Sequence, residues 1–172
     1  MNIILATTSP YRRRLLERLQ LPFRCVSPET DETPLPDEAP AALAVRLARA
    51  KAESIARLQP GALIIGSDQV ASIEGSIMGK PGNFNNASAQ LRSSSGREVV
   101  FYTAIALIAP NRDQERFHVE RFCVRFRALS DSQIANYLHR EQPYDCAGSF
   151  KVEGLGIALF ESLIGDDPTS LE

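Results

Sequence analysis

Lys51 occupies an apolar position. Between Ala41 and Leu58, at ~100° per residue, Arg46, Arg49, Glu53 and Arg57 gather on one helical face. Ala44, Leu47, Ala48, Ile55 and Leu58 gather on the other, and Lys51 projects among them. An ammonium in that place either reaches out to water or meets an anion inside the fold. Two features favour the anion: Asp68, which follows the apolar run Ala62 to Gly66, and Lys80 in Gly79-Lys80-Pro81. Asp68 is preceded by Gly66 and Ser67, small enough to let a ligand approach the backbone, and ligands gather at strand ends in α/β folds. Asp31 and Glu32 stand in a proline-bordered loop; one of them beside Asp68 would supply the few carboxylates that Mg²⁺ uses, with phosphate and water completing its octahedron. Together these residues suggest a cleft that holds phosphates and a metal.

The elements that must position them can be read along the chain. Ile3–Ala6 is a short buried strand, and Ser9 with Pro10 supplies the N-cap and first position of a helix running to about Leu19. Arg12, Arg13 and Arg14 fill its first turn, where positive side chains oppose the helix dipole unless something negative lies near. Arg13 and Arg14 read as a solvated face. Phe23–Val26 is a second strand, Ser27–Pro36 a loop, and the helix bearing Lys51 follows. Ala62–Gly66 is a strand, Gln69–Met78 a hairpin around Glu74-Gly75, and Asn85–Arg92 a short helix. Glu98–Ala109 and Arg116–Phe126 pair as a long hairpin turning at Pro110–Asp113. Ser130 caps a helix to Arg140, and glycines 148, 154 and 156 punctuate a loop before a last strand, Ile157–Phe160. Strand-helix units mixed with an antiparallel hairpin predict an α/β fold, a mixed twisted sheet with flanking helices.

Composition narrows the function classes. At 172 residues, with 44% hydrophobic and 23% charged content, the chain fits one well-cored globular domain. No window approaches the ~20 apolar residues of a membrane span, and the apolar start is too short and lacks the basic leader of a signal peptide. Cys25, Cys123 and Cys146 are odd in number and widely spaced, which argues against a disulfide framework or zinc site and for a reducing cytoplasm. His118 and His139 are isolated, so histidine chemistry is not expected. A net charge of -2 gives no global attraction to nucleic acid. The segment Gly75 to Pro81 fails as a Walker loop: its glycine spacing is one short, and Pro81 replaces the hydroxyl that binds Mg²⁺.

Read in order, Leu5-Ala6-Thr7-Thr8-Ser9-Pro10 with Arg12, Asp31-Glu32-Thr33, Arg46-Leu47-Ala48 through Lys51-Ala52, Ile65-Gly66-Ser67-Asp68 and Gly79-Lys80-Pro81 resemble the Maf family of nucleoside triphosphate pyrophosphatases. Ser95-Gly96, Tyr102-Thr103, Ile134 with Tyr137, Cys146-Ala147-Gly148-Ser149-Phe150 and Gly165-Asp166 extend the resemblance over nearly the whole chain. It implies an ITPase-like fold of two lobes around a central cleft. It further implies hydrolysis between the α and β phosphates of a nucleotide, with Mg²⁺ or Mn²⁺ as the divalent cation. Carried onto this sequence, Asp68 would be the general base and a metal ligand, Glu32 a second metal ligand, and Ser9, Arg12, Lys51 and Lys80 the phosphate-binding groups.

The resemblance is closer to the branch acting on 7-methyl-GTP than to the dTTP/UTP branch, which has Arg at position 11, Thr at 69 and Gln at 153. Here Tyr11, Gln69 and Glu153 stand there as specificity residues. Tyr11 would stack on a cationic N7-methylated purine, and Glu153 would accept hydrogen bonds from guanine N1–H and its amino group. The 7-methyl-GTP branch often carries tryptophan at position 11, and tyrosine stacks less strongly. The family pattern continues beyond Gly165–Thr169 into a V-G-L-P segment and a final helix, so a single Maf-like domain, residues 1–172, without that helix is expected. The expected partner is a small-molecule nucleotide, with no membrane and no stable nucleic-acid complex, and a homodimer is compatible. The alternatives are a dTTP/UTP pyrophosphatase of the same family and a non-catalytic nucleotide or nucleic-acid binding module built on Arg12–Arg14, Arg116, Arg121, Arg125 and Arg127. The last four read mainly as a solvated strand face.

Overall fold

The computed structural model describes residues 2–110 and 114–172. Its elements are β1 (Ile3–Ala6), α1 (Pro10–Glu17), β2 (Phe23–Val26), α2 (Pro40–Ala56), β3 (Leu63–Ile73), β4 (Ser76–Met78), α3 (Phe84–Ser94), β5 (Glu98–Ile108), β6 (Glu115–Phe126), α4 (Asp131–Glu141) and β7 (Phe160–Ile164). The strands follow the order β2-β1-β3-β5-β6-β7, with β4 attached to β3. β1 is parallel to both β2 and β3, whereas β4 on β3 and β7 on β6 are antiparallel. The expected mixed α/β sheet with flanking helices is therefore present.

The chain divides into two compact units, one holding the residues up to Gln69 with Thr103–Val119, the other Val70–Tyr102 with Glu120–Glu172. In the first, β1 is buried along its whole length, as a parallel strand covered on both faces must be. α2 lies against β1 and buries Leu43, Ala44, Leu47, Ala48, Lys51, Ala52 and Ile55. Leu58, expected on this apolar face, falls beyond the end of α2 and is 72% exposed.

The second unit has an aromatic centre. Phe126, Phe150 and Phe160 meet edge to face with centroids 4.8 to 6.0 Å apart, and Phe101 joins them through Phe150 at 5.2 Å. Leu91 from α3 and Ile134 and Leu138 from α4 pack into the same core. Ser130 and Gln133 form a capping box that fixes the start of α4. Glu74 and Gly75, at φ 49° and 82°, make the tight turn between β3 and β4 that the hairpin requires.

Some boundaries differ from the expectation. α1 ends at Glu17 rather than Leu19. β3 does not stop at Gly66 but runs unbroken to Ile73, because Asp68 and Gln69, polar enough to suggest a break, find partners without leaving the strand. Ile157–Leu159 belong to a 3-10 turn rather than a strand. There the Gly156 N–H folds back onto the Lys151 carbonyl at 3.0 Å, and the extended backbone begins only at Phe160, opposite Phe126. Residues 111–113 of the expected turn lie outside the described residues.

Candidate active site

β1 ends at Ala6, paired with Gly66 of β3, so Asp68 stands just past the last rung of the parallel ladder. The chain leaves β1 through Thr7-Thr8-Ser9. There Ser9 accepts the Arg12 N–H at 3.4 Å as N-cap of α1 and donates its own N–H to Thr7 Oγ1 at 3.0 Å. This turn sets the direction of α1 and hence of Arg12. The hydroxyl of Ser9 is engaged in capping, which is compatible with a further contact through its remaining hydrogen.

Gly66 determines how α2 meets β3. A Cβ there would collide with the Ala48 carbonyl and with Ala52, so the helix approaches the strand at a distance only glycine permits. The small residues before Asp68 suggest room for a ligand; the helix takes it instead. Because strand residues two apart share a face, Gly66 and Asp68 both face α2. Lys51, immediately before Ala52, thus reaches Asp68.

The resulting contacts are close. Lys51 Nζ lies 2.5 Å from Asp68 Oδ1 and 2.6 Å from Glu32 Oε1, and Arg12 Nη2 lies 4.0 Å from the same Asp68 oxygen. The side chains of Lys51 and Asp68 are 7% and 9% exposed, and that of Glu32 is 54% exposed. Burial lowers the pKa of the Arg12 guanidinium, while Asp68 and Glu32 act to raise it. Arginine nevertheless stays protonated at any working pH. The negative groups that the basic first turn of α1 demanded are these two carboxylates. Arg13 pairs with Glu17 at 2.9 Å on the solvent face, and Arg14 is exposed, as expected of both.

The Glu32 loop is braced from α2. Arg46 grips Glu38 through two hydrogen bonds, Nε at 2.6 Å and Nη2 at 2.8 Å, and also donates to the Thr33 carbonyl at 3.0 Å. Glu38 accepts the Leu35 N–H, and Asp31 accepts the Thr33 N–H. The hydrogen bonds from Arg46 and then from Leu35 hold the Glu38 carboxyl down at about 2. Asp31 is lowered chiefly by its hydrogen bonds to Thr33. In the sequence Arg46 reads as a polar-face residue and the start of the Arg46-Leu47-Ala48 motif, and Glu38 stands unmarked. The available signal was a charged residue eight positions before Arg46, across a proline-rich loop.

A profile described as Maf-like protein matches residues 2–171. The chain belongs to the Maf family. A protein of Polaromonas sp. (strain JS666) named 7-methyl-GTP pyrophosphatase is 55% identical over 169 residues, covering 98% of this chain and 77% of its own length. Proteins of the same name from Nitrosospira multiformis and Colwellia psychrerythraea are 56% and 53% identical over 170 residues, each covering 99% of this chain and respectively 86% and 85% of their own lengths. The solved structure of the Staphylococcus aureus Ham1 protein shares the fold, with a TM-score of 0.53, 13% identity and coverage of 73% of this chain and 72% of that one.

In this Maf chain the first unit therefore gathers Arg12, Glu32, Lys51 and Asp68, with Ser9 at the start of α1. Tyr11 is half-buried on α1, and Gln69 donates its amide to Thr103 Oγ1 at 3.2 Å. Lys80 and Glu153 are exposed on loops of the second unit. The Glu153 loop is tied to α4: the Tyr137 hydroxyl accepts the Lys151 N–H at 3.1 Å, and Glu141 Oε2 accepts the Leu155 N–H at 2.7 Å. Burial pushes the Tyr137 hydroxyl pKa up, so it remains protonated. Arg116, Arg121, Arg125 and Arg127 are exposed, and Arg125 pairs with Glu98 and Glu161, the pattern of a solvated face. Among the described residues no helix is long and apolar enough to cross a membrane, and Cys25, Cys123 and Cys146 form no disulfide.

Proposed function

We propose that this chain hydrolyses 7-methyl-GTP to 7-methyl-GMP and pyrophosphate. The observation that carries the chemistry is the cluster in which one buried ammonium joins Asp68 to Glu32 beside Arg12. The choice of base is supported by the name shared by relatives at 53% to 56% identity, and by Tyr11, Gln69 and Glu153 at the three branch-distinguishing positions.

Formal charges within the cluster cancel: Lys51 and Arg12 balance Asp68 and Glu32. A triphosphate brought to it adds negative charge that nothing in the cluster offsets, and this favours a divalent cation. The donor set fits one, because two carboxylate oxygens already converge within hydrogen-bond reach of a single positive centre, and Mg²⁺ uses only one or two protein carboxylates. Glu32 and Asp68 would hold Mg²⁺ or Mn²⁺, which supplies charge neutralisation on the phosphates.

In the remaining steps Asp68 accepts a proton from the attacking water. Lys51, released from the carboxylates, turns its ammonium to the phosphate oxygens with Arg12 and Lys80, where charge accumulates as the α–β anhydride opens. The N-terminus of α1, capped by Ser9, presents backbone N–H groups to the same anion. Tyr11 stacks on the methylated base, and Glu153 reads the guanine edge. The cysteines suit a reducing cytoplasm, and the partner is a small-molecule nucleotide, with a homodimer compatible.

Pyrophosphate release measured over 7-methyl-GTP, GTP, dTTP and UTP tests the assignment. The expected preference is for 7-methyl-GTP, and a preference for dTTP or UTP would overturn it. For the metal, Glu32→Gln is expected to weaken Mn²⁺ binding by calorimetry, and unchanged binding would remove Glu32 as a ligand.

A further inference from the structure

Cys146–Phe150 carries none of the groups assigned to the nucleotide, yet its backbone is held in an uncommon form. Gly148 and Ser149 have φ of 74° and 63°, and Ser149 is fully buried. A non-glycine residue rarely adopts that conformation. At Gly148 a Cβ would press on the Phe101 ring, so the glycine is needed for packing as well as for its φ. The outcome is that Ser149 Oγ lies 2.5 Å from Gln90 Oε1.

Gln90 carries the contact onward. Its Nε2 donates to the Gly79 carbonyl at 2.9 Å. The amide orientation follows from chemistry: a carbonyl only accepts, so the NH₂ must face Gly79, leaving Oε1 for a hydroxyl that donates. One helical turn earlier on α3, Asn86 Nδ2 donates to the Pro81 carbonyl at 2.9 Å. The residues on both sides of Lys80 are thus fastened to one helix. Gly82 adds a third tie, its N–H donating to the Tyr144 carbonyl at 2.9 Å.

We propose that Gln90 and Asn86 are positioning residues for Lys80, and that the buried Ser149 orients Gln90 for this role. The inference rests on the reading of Lys80 as a phosphate-binding group. A lysine stem is long and flexible, so fixing its Cα and the peptides on either side restricts where the ammonium can go before substrate arrives.

The test is a double-mutant cycle on the full chain, reading kcat/KM for pyrophosphate release from 7-methyl-GTP, with thermal melts to establish folding. Gln90→Leu is expected to lower kcat/KM about tenfold, and to have little further effect in a Lys80→Met background, because Gln90 acts through Lys80. Gln90→Glu, which keeps an acceptor for Ser149 but sets a second acceptor oxygen against the Gly79 carbonyl in place of the donor, is expected to follow Gln90→Leu and serves if that variant does not fold. Asn86→Ala should behave in the same direction. Equal losses from Gln90→Leu in the wild-type and Lys80→Met backgrounds would overturn the positioning role while leaving Lys80 in place. Unchanged turnover in Lys80→Met alone would instead remove Lys80 from the phosphate site, and the positioning role with it.

Discussion

Lys51 Nζ lies 2.5 Å from Asp68 Oδ1, and both side chains are more than nine-tenths buried. A buried ion pair adds little net stability as a pair, yet removing one member strands the other. Lys51→Met leaves Asp68 facing Arg12, at 4.0 Å, as the cation that remains in the cluster. The expected result is a loss of stability of roughly 3–5 kcal/mol at most, reduced by Arg12, together with loss of turnover. Urea denaturation and pyrophosphate release measure the two effects. A more stable variant with wild-type turnover would make Lys51 a structural residue only.

Asp68→Asn should separate fold from chemistry. Asparagine keeps an oxygen that can accept from Lys51, and Glu32 still pairs the ammonium, so the melting temperature is expected to change little. As general base, however, Asp68 contributes on the order of 10²–10⁴-fold to the rate, and kcat should fall by that amount. Retention of more than half the wild-type kcat would exclude it from proton transfer.

The buried cluster was legible in the sequence because its central members each broke a local pattern: Lys51 interrupts an apolar stripe, and Asp68 follows an apolar run. Helix and strand periods suffice for that reading. The length of β3 was not legible, since the partners that keep Asp68 and Gln69 extended come from α2 and β5, far along the chain. Nor was the grip of Arg46 on Glu38, which depends on a loop path rather than a period. The turn at Leu155–Leu159 is not legible because Ile157, Ala158 and Leu159 look like strand residues, and only the contact of Gly156 with Lys151 shows why they wind. Ser149 and Gln90, 59 residues apart in sequence, meet only through folding.

Gly66→Ala tests the close approach that brings Lys51 to Asp68. The added methyl would meet backbone atoms of Ala48 and Ala52, which cannot swing aside as a side-chain tip can. Overpacking of this kind costs roughly 1–3 kcal/mol or more. Denaturant midpoints should fall, and kcat should fall even at temperatures where the variant remains folded, because α2 must retreat and carry Lys51 with it. Wild-type stability in this variant would show that the helix and strand have room to spare.

The Glu38 clamp should respond to acid in a defined direction. Its carboxyl sits at about 2 in the folded chain against an ordinary value of 4.5. The folded state therefore binds the proton less readily than the unfolded state. Its contribution to stability is complete above pH 4.5 and is lost as the pH falls from there towards 2. Comparing wild type with Glu38→Gln by denaturation, the wild-type advantage is expected to be constant near neutrality and to shrink through that acid window. An advantage that persists unchanged to pH 2 would show that the carboxylate charge is not what Arg46 holds.

Glu153→Gln addresses recognition of the base. Both side chains can accept hydrogen bonds from the guanine edge, but only the carboxylate adds attraction for a ring made cationic by N7-methylation. Charge-assisted hydrogen bonds are roughly twice as strong as neutral ones, so kcat/KM for 7-methyl-GTP is expected to fall about tenfold and that for GTP by less. The preference between the two nucleotides should narrow accordingly. Because Tyr137 and Glu141 fasten the loop through the backbone of Lys151 and Leu155, the substitution at 153 leaves those ties intact, and the effect can be assigned to the side chain itself. Equal losses for the two nucleotides would mean that Glu153 does not sense the charge on the base, and no loss for either would place it away from the base altogether.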